Sequence, residues 1–271
     1  MLFIYSIVLG IVQGITEFLP VSSSGHLVLL HNILNFDFEQ NLAFDTALHL
    51  GTGFALVLFF WNDIKKYVIT FFKFISGSKS VVKSEIDFVF KFIVATIPAV
   101  VLGLLFETII ETKLRSEWVV VSTLIIVAVI FLLVEKYSKP KKGMEELTFF
   151  KAILIGVAQA FALIPGVSRS GITIVAGMSS KLKRSEAARF AFLLGIPVIL
   201  GAGFYQIFKL DFSTLESTMI RIFVIGFLAS FISGLLVIKF LMKYLTTHKL
   251  NVFAWYRIGL AIILILYFLM R

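Results

Sequence analysis

Ionisable side chains embedded in apolar sequence are costly in lipid and therefore point to chemistry. This chain has two short groups of them. The first is Gln13, Glu17, Ser22, Ser23, Ser24 and His26; the second is Ser168, Arg169 and Ser170. Gln13 and Glu17 are four residues apart, so a helix would carry both on one face, where they could share a ligand or ion. Arg169 is a permanent cation with a planar donor fork suited to phosphate or carboxylate. Each group sits where a helix would restart after a break, and the free N–H groups of a helix start favour an anion. Serine hydroxyls, one guanidinium and two helix starts add up to a pocket for something anionic. Glu17 with Gln13 would suit a divalent cation, Mg²⁺ or Ca²⁺, bridging to that anion, because Mg²⁺ is commonly held by one or two carboxylates plus substrate phosphates.

Each residue also has a plainer role open to it. Serines beside Pro and Gly are often N-caps and turn formers. Arg169 could pair with Glu17 as a static bridge, and His26 could be structural. Gly51, Gly53, Gly201 and Gly203 read as close helix contacts, the usual role of small residues in lipid. The 30 Phe residues read as lipid-facing bulk. His31, His49 and His248 have no partner that spacing alone can name. Asp45 reads as an N-cap, with a lesser prospect of joining the site.

The elements that must position these groups follow from hydropathy. The chain has 271 residues, no Cys, 59% hydrophobic and 15% charged composition, and a mean hydropathy of +1.00. Soluble domains average about 25% charged residues, so a soluble enzyme, a disordered chain and a disulfide-stapled secreted domain are excluded. Six segments are long enough to span a bilayer core of about 30 Å: about 44–62, 86–106, 118–134, 186–208, 219–241 and 251–270. Two further stretches, 2–33 and 149–180, are interrupted at Pro20-Val21-Ser22-Ser23-Ser24-Gly25 and Pro165-Gly166-Val167-Ser168-Arg169-Ser170-Gly171. Beyond each break roughly ten residues remain, about half a bilayer of helix. That predicts two re-entrant helical hairpins, tolerable only where protein or a wet cavity surrounds them. The N-terminal stretch lacks a basic leader and a small-residue cleavage site and carries Glu17, so it is expected in the mature fold rather than as a signal peptide.

The interrupted stretches are copies. A shift of 146 residues aligns Gly10 with Gly156, Gln13 with Gln159, Val21 with Val167, Ser22 with Ser168, Ser24 with Ser170 and Gly25 with Gly171. Each copy precedes three spans, so the second unit must run upside down relative to the first. The expectation is one all-α membrane domain over 1–271, an inverted-topology repeat of about 1–136 and 149–271. Of the 25 Lys+Arg, 17 fall in 63–86, 135–151, 181–189 and 239–249. By the positive-inside bias those segments face the cytoplasm, which explains the net charge of +9 without nucleic acid. The broken tips would then meet near the midplane.

Gln13-Gly14-Ile15-Thr16-Glu17-Phe18-Leu19-Pro20-Val21-Ser22-Ser23-Ser24-Gly25-His26-Leu27 and Pro165-Gly166-Val167-Ser168-Arg169-Ser170-Gly171-Ile172-Thr173 closely resemble the two signatures of the bacterial undecaprenyl-diphosphatase (bacitracin-resistance) family. The first is similar to its (Glu/Gln)-x-x-x-Glu element and serine–histidine loop, the second to its PGxSRSxxT element. The resemblance covers the whole chain. It implies metal-dependent hydrolysis of undecaprenyl diphosphate to the monophosphate in the plasma membrane, with the site open to the outer face. That step recycles the lipid carrier of cell-wall synthesis and is linked to bacitracin resistance. It further implies Glu17 and Gln13 as metal or water-positioning groups, Ser23 or His26 as nucleophile or general base, and Arg169 as the phosphate clamp. Ser22, Ser24, Gly166, Ser168, Ser170 and Thr173 would contact substrate, and a homodimer is favoured. Gln13 stands where many members carry Glu, so Glu17 would bear more of the metal role.

Phosphoryl transfer needs charge neutralisation and in-line positioning. The expected pairing is Ser23 with His26 three residues on, with direct attack by water left open. One rival is a secondary transporter or flippase for an anionic or lipid-phosphate substrate, since inverted repeats of broken helices are transporter architecture. Another is an intramembrane serine hydrolase. Arg169 counts against it, because an acyl oxyanion hole relies chiefly on backbone and neutral donors.

Overall fold

The computed structural model describes residues 1–34, 41–114, 116–139, 141–210 and 216–270. They form α1 (Leu2–Phe18), α2 (Ser23–Leu34), α3 (Asn41–Phe59), α4 (Trp61–Ile75), α5 (Lys83–Lys113), α6 (Glu117–Tyr137), α7 (Phe149–Phe161), α8 (Arg169–Ser179), α9 (Arg184–Lys209), α10 (Ser217–Tyr244) and α11 (Asn251–Met270). A single 3-10 turn at Met144–Glu146 interrupts the α6–α7 connection. Among the described residues the only extended pairing is an isolated bridge between Lys142 and Leu182. The protein is an all-helical, multi-pass membrane protein. Helices α3, α5, α6, α9, α10 and α11 are long and apolar enough to cross a bilayer, and they coincide with the six expected spans to within a few residues.

Helix α4 departs from expectation, because residues 63–86 read as a basic loop. Its exposed side chains include Trp61, Val68, Ile69, Phe72 and Ile75 beside its lysines. That is the composition of a helix lying at a membrane surface rather than crossing it. Asp45 is not an N-cap: α3 begins at Asn41, so Asp45 falls in the second turn. The Phe residues are not all lipid-facing bulk either. Phe18, Phe44, Phe131, Phe190 and Phe192 are fully buried, and Phe18 meets Phe192 edge to face at 5.7 Å.

Both interrupted stretches are helix–break–helix: α1 then α2, and α7 then α8. Each first arm packs into the other half of the chain, α1 against α10 and α7 against α5, while α1 also meets α3 of its own half. Two glycines aligned in the sequence permit this. A Cβ on Gly10 would lie 2.6 Å from the Gly226 carbonyl oxygen, and one on Gly156 would overlap the Ala95 backbone. Gly51, Gly53 and Gly203 are likewise pressed against neighbouring helices, but a Cβ on Gly201 would meet nothing within 4 Å. Gly201 is therefore not a helix contact.

Polar clamps close the far end of the bundle. Arg184 at the start of α9 holds the buried Glu135 of α6 through two bonds of 2.8 and 2.5 Å. Leu250 N donates to the same carboxylate at 2.8 Å. Arg189, one turn further along α9, pairs with Asp63 of α4. These pairs fix the register of α9, which carries one wall of the pocket described next.

Candidate functional site

The two breaks are built alike. Ser22 and Ser168 are non-glycine residues at φ +76° and +70°, a left-handed conformation that costs about 1–2 kcal/mol for an L side chain. Each then caps the helix that follows. Gly171 N donates to Ser168 Oγ at 3.2 Å, and Gly25 N donates to Ser22 Oγ at 3.4 Å. Each capping hydroxyl also lies close to the serine two residues on, Ser22 to Ser24 at 3.2 Å and Ser168 to Ser170 at 3.3 Å. For Ser22 and Ser168 the plainer reading, a capping serine, describes the geometry.

The tips touch. Gly166 N donates to Ser24 Oγ at 3.3 Å. Arg169 Nη2 donates to Glu17 Oε1 at 2.6 Å across 152 residues of sequence. The other carboxylate oxygen, Glu17 Oε2, accepts from Ser23 Oγ at 2.7 Å and from Gln13 Nε2 at 3.1 Å. Gln13 Nε2 is also 2.8 Å from His49 Nδ1. Only the amide nitrogen of Gln13 can face the carboxylate favourably, which sets its orientation and leaves His49 Nδ1 as an acceptor. His49 lies 3.5 Å from Glu17 Oε2. Gln13 Oε1 and Arg169 Nη1 are buried without a hydrogen-bond partner in the protein.

A cavity of about 390 Å³ opens on this cluster. Its polar wall holds Glu17, Ser22, Ser23, Ser24, Ser168 and Arg169, joined by Asp45 and His49 of α3 and Gln159 of α7. Its apolar wall includes Leu27, Ala99, Val120, Leu163, Val198, Ile199 and Ala202. Other expected residues stand behind the wall. Thr173 Oγ1 bonds back to Arg169 O at 2.6 Å, which steadies the turn carrying the guanidinium. Ser170 is buried against Ser168.

His26 is not brought to Ser23. One ring nitrogen is 2.7 Å from Ser22 O and the other 2.7 Å from the Tyr256 hydroxyl, with the two rings stacked. The group within reach of the Ser23 proton is Glu17.

Two residues escaped the sequence reading. His49 looked partnerless because its contacts come from α1. Arg257 of α11 is fully buried and ties both tips to α6. It donates to Pro20 O at 3.4 Å, Gly166 O at 2.8 Å, Leu124 O at 3.3 Å and Thr123 O at 3.2 Å. Thr123 in turn donates to Pro165 O at 2.8 Å. A lone arginine inside a span is expensive, and that cost was the available signal.

Among the described residues no three His, Asp or Glu side chains converge as a metal-ligand group. Glu17 lines the cavity and offers a carboxylate to a hard cation, with further ligands left to phosphate oxygens or water. Gln13 is fully buried behind it, turns its amide nitrogen to that carboxylate and leaves Oε1 unpaired.

Six helices long and apolar enough to cross a bilayer, with a hydroxyl–carboxylate–guanidinium pocket among them, define a multi-pass membrane protein with a polar centre. Residues 6–263 match the family described as Bacitracin resistance protein BacA, and the chain belongs to that family. Its relatives include proteins named undecaprenyl-diphosphatase. The one from Rubrobacter xylanophilus is 41% identical, with 94% of each chain covered. Those from Desulforudis audaxviator and Thermodesulfovibrio yellowstonii are each 41% identical, with 98% of this chain and 97% of the relative covered.

Proposed function

We propose that this protein is a membrane phosphatase that hydrolyses undecaprenyl diphosphate to undecaprenyl phosphate and inorganic phosphate. Its relatives carry that name over nearly their whole length, and the family name connects it to bacitracin resistance. The observation that carries the mechanism is the Ser23 hydroxyl donating to Glu17 Oε2 while Arg169, from the other broken pair, holds Glu17 Oε1. A nucleophile, a base and a group that orients the base are thereby within bonding distance.

In the proposed sequence the Ser23 oxygen attacks the terminal phosphorus and its proton passes to Glu17. The bond to the bridging oxygen breaks, and the lipid monophosphate leaves. Glu17, having passed its proton to the departing lipid monophosphate, takes one from water as that water attacks the phosphoserine, and returns it to the Ser23 oxygen as inorganic phosphate leaves. Arg169 and the tip N–H groups bind the non-bridging oxygens as charge shifts onto them. His26 and Tyr256 position the Ser22 backbone. A divalent cation held by Glu17 would neutralise phosphate charge and ease leaving-group departure.

The broken pairs are proposed as re-entrant hairpins of an inverted repeat. Their matched capping geometry and their packing into opposite halves support this. Orientation follows from charge. The cavity is bounded by Leu42, Asp45 and Thr46 near the start of α3 and by Ala202, Gly203 and Gln206 towards the end of α9. Those are the ends remote from the lysine- and arginine-rich segments, so the pocket opens to the outer face of the plasma membrane. The prenyl chain lies along the apolar wall.

The test is phosphate release from a prenyl diphosphate in detergent, where no gradient exists, across a divalent-cation titration. Wild type should release phosphate in a cation-dependent manner, and Ser23→Ala, Glu17→Gln and Arg169→Ala should each lose at least about 10²-fold, the scale of general acid–base catalysis. Wild-type rates in all three would reject the site. A wild-type protein that moves lipid phosphate across vesicles without hydrolysis would favour the transporter reading.

A further inference from the structure

Gln159 is the second-half counterpart of Gln13, yet its surroundings differ. Gln13 is pinned by Glu17 and His49. Gln159 is only 2% exposed, and both its amide atoms, Nε2 and Oε1, lack a partner. Buried polar side-chain atoms are overwhelmingly hydrogen-bonded, and leaving a whole carboxamide unpaired is a standing cost to the fold. Such a cost is tolerated where the group meets a ligand.

Gln159 lines the same cavity as Arg169, whose Nη1 is also unpaired. One broken pair thus brings to the lining of one space an unpaired carboxamide and an arginine with an unused N–H group. The position of Gln159 along that space indicates what it meets. Glu17, Ser23 and Arg169 Nη2 form the closed cluster where the terminal phosphoryl is proposed to react. Gln159 sits next to the apolar wall: α7 lies against α5 at Gly156 and Ala95, and one helical turn further on both helices present Gln159 and Ala99 to the cavity. A diphosphate with its reacting phosphoryl at Ser23 and its chain on that wall brings its lipid-linked phosphoryl past Gln159.

We propose that Gln159 binds the phosphoryl group that stays on the lipid, its amide N–H donating to a non-bridging oxygen in the space that Arg169 also lines. It is a substrate-binding residue specific to the prenyl-phosphate half of the substrate. An amide suits that task because it adds a donor without adding charge, so the lipid monophosphate binds without being trapped. The inference rests on the phosphatase reading of the pocket.

The test uses Gln159→Leu, which keeps the volume, and Gln159→Asn, which keeps the amide but withdraws it by one methylene. Both are assayed beside Arg169→Ala in detergent with a prenyl diphosphate. For Gln159→Leu, KM should rise about tenfold, the worth of one hydrogen bond to a charged group, with kcat changing less than twofold. Inhibition by prenyl monophosphate should weaken by the same factor, while inhibition by inorganic phosphate stays unchanged. Gln159→Asn should fall between wild type and Leu. Thermal stability of Gln159→Leu should hold or rise, since an unpaired buried amide is removed, which separates binding from packing. Unchanged KM and inhibition in both variants would overturn the proposal, as would weakened inhibition by inorganic phosphate alone or a loss of stability that matched the loss of activity. If Arg169→Ala also keeps wild-type activity, the pocket reading has failed; if Arg169→Ala is inactive, only the role of Gln159 has.

Discussion

Gly195 on α9 never touches substrate in the proposed mechanism, yet one methyl group there should disable the site. A Cβ built on Gly195 would lie 2.5 Å from Arg169 Cζ and 3.3 Å from Nε, and would overlap Nη1 outright. Carbon contacts settle at about 3.5–4.0 Å, so the guanidinium must withdraw by about 1 Å or more. Its Nη2 bond to Glu17 Oε1 is 2.6 Å long and cannot follow without shifting the carboxylate that holds Ser23. A misplacement of about 1 Å in a catalytic group costs roughly 10²-fold, so kcat/KM for Gly195→Ala should fall about that much. The fold should not suffer equally: the guanidinium can swing aside, and Gly→Ala in a helix is worth about 0.5–1 kcal/mol in favour of folding. Gly201→Ala is the matched control, six residues on along the same helix, where an added Cβ meets nothing within 4 Å. The measurements are phosphate release and thermal unfolding in one detergent. Full activity in Gly195→Ala, or equal loss in Gly201→Ala, would refute the placement of Arg169 against α9.

Arg257 should prove to be a positioning residue. Arg257→Lys keeps the charge but not the fork that reaches Pro20 O and Gly166 O together. An orphaned buried carbonyl costs about 1–3 kcal/mol, so kcat should drop at least about tenfold, with Ser23 still present but misplaced; a fully active Lys variant would refute this. Tyr256→Phe removes only the hydroxyl that bonds His26 at 2.7 Å. With His26 acting as a support, activity should fall less than about tenfold and the pH–rate profile should keep its shape, whereas a displaced acidic limb would return His26 to the role of base.

The parts of this protein that were legible in its sequence are those written in composition and local spacing. Pro, Gly and Ser at residues 20–25 and 165–171 mark the breaks because they supply turns and caps that no apolar run supplies. Six charge-poor stretches mark the crossings because lipid tolerates little else. Helix α4 was not legible, since five lysines over 63–86 look like a loop until the alternate face of Trp61, Val68, Phe72 and Ile75 is counted. Within the site, Glu17 and Arg169 stand out as ions in apolar sequence. His49 and Gln159 do not, and Arg257, an ion in apolar sequence too, shows no partner by spacing, because the significance of all three lies in which helix each one faces. That facing is decided by the close approach of α1 to α10 and of α7 to α5, through glycines that resemble any other small residue in a membrane helix.

The sequence also posed a false choice at Arg169, between a static bridge to Glu17 and a clamp for phosphate. A guanidinium has two faces of donors. Here Nη2 is spent on Glu17 while Nη1 is buried without a partner beside the cavity. The bridge half-neutralises the carboxylate and aims it at Ser23, and the guanidinium that holds it lines the cavity where phosphate would lie. Each role supports the other, because a free Glu17 would repel the substrate and a free Arg169 would have no fixed direction. Holding one charge with another is a costly way to stabilise a fold, since a buried pair seldom improves on well-packed apolar side chains. Its presence where the two broken pairs meet, beside the cavity, argues that it is kept for the ligand.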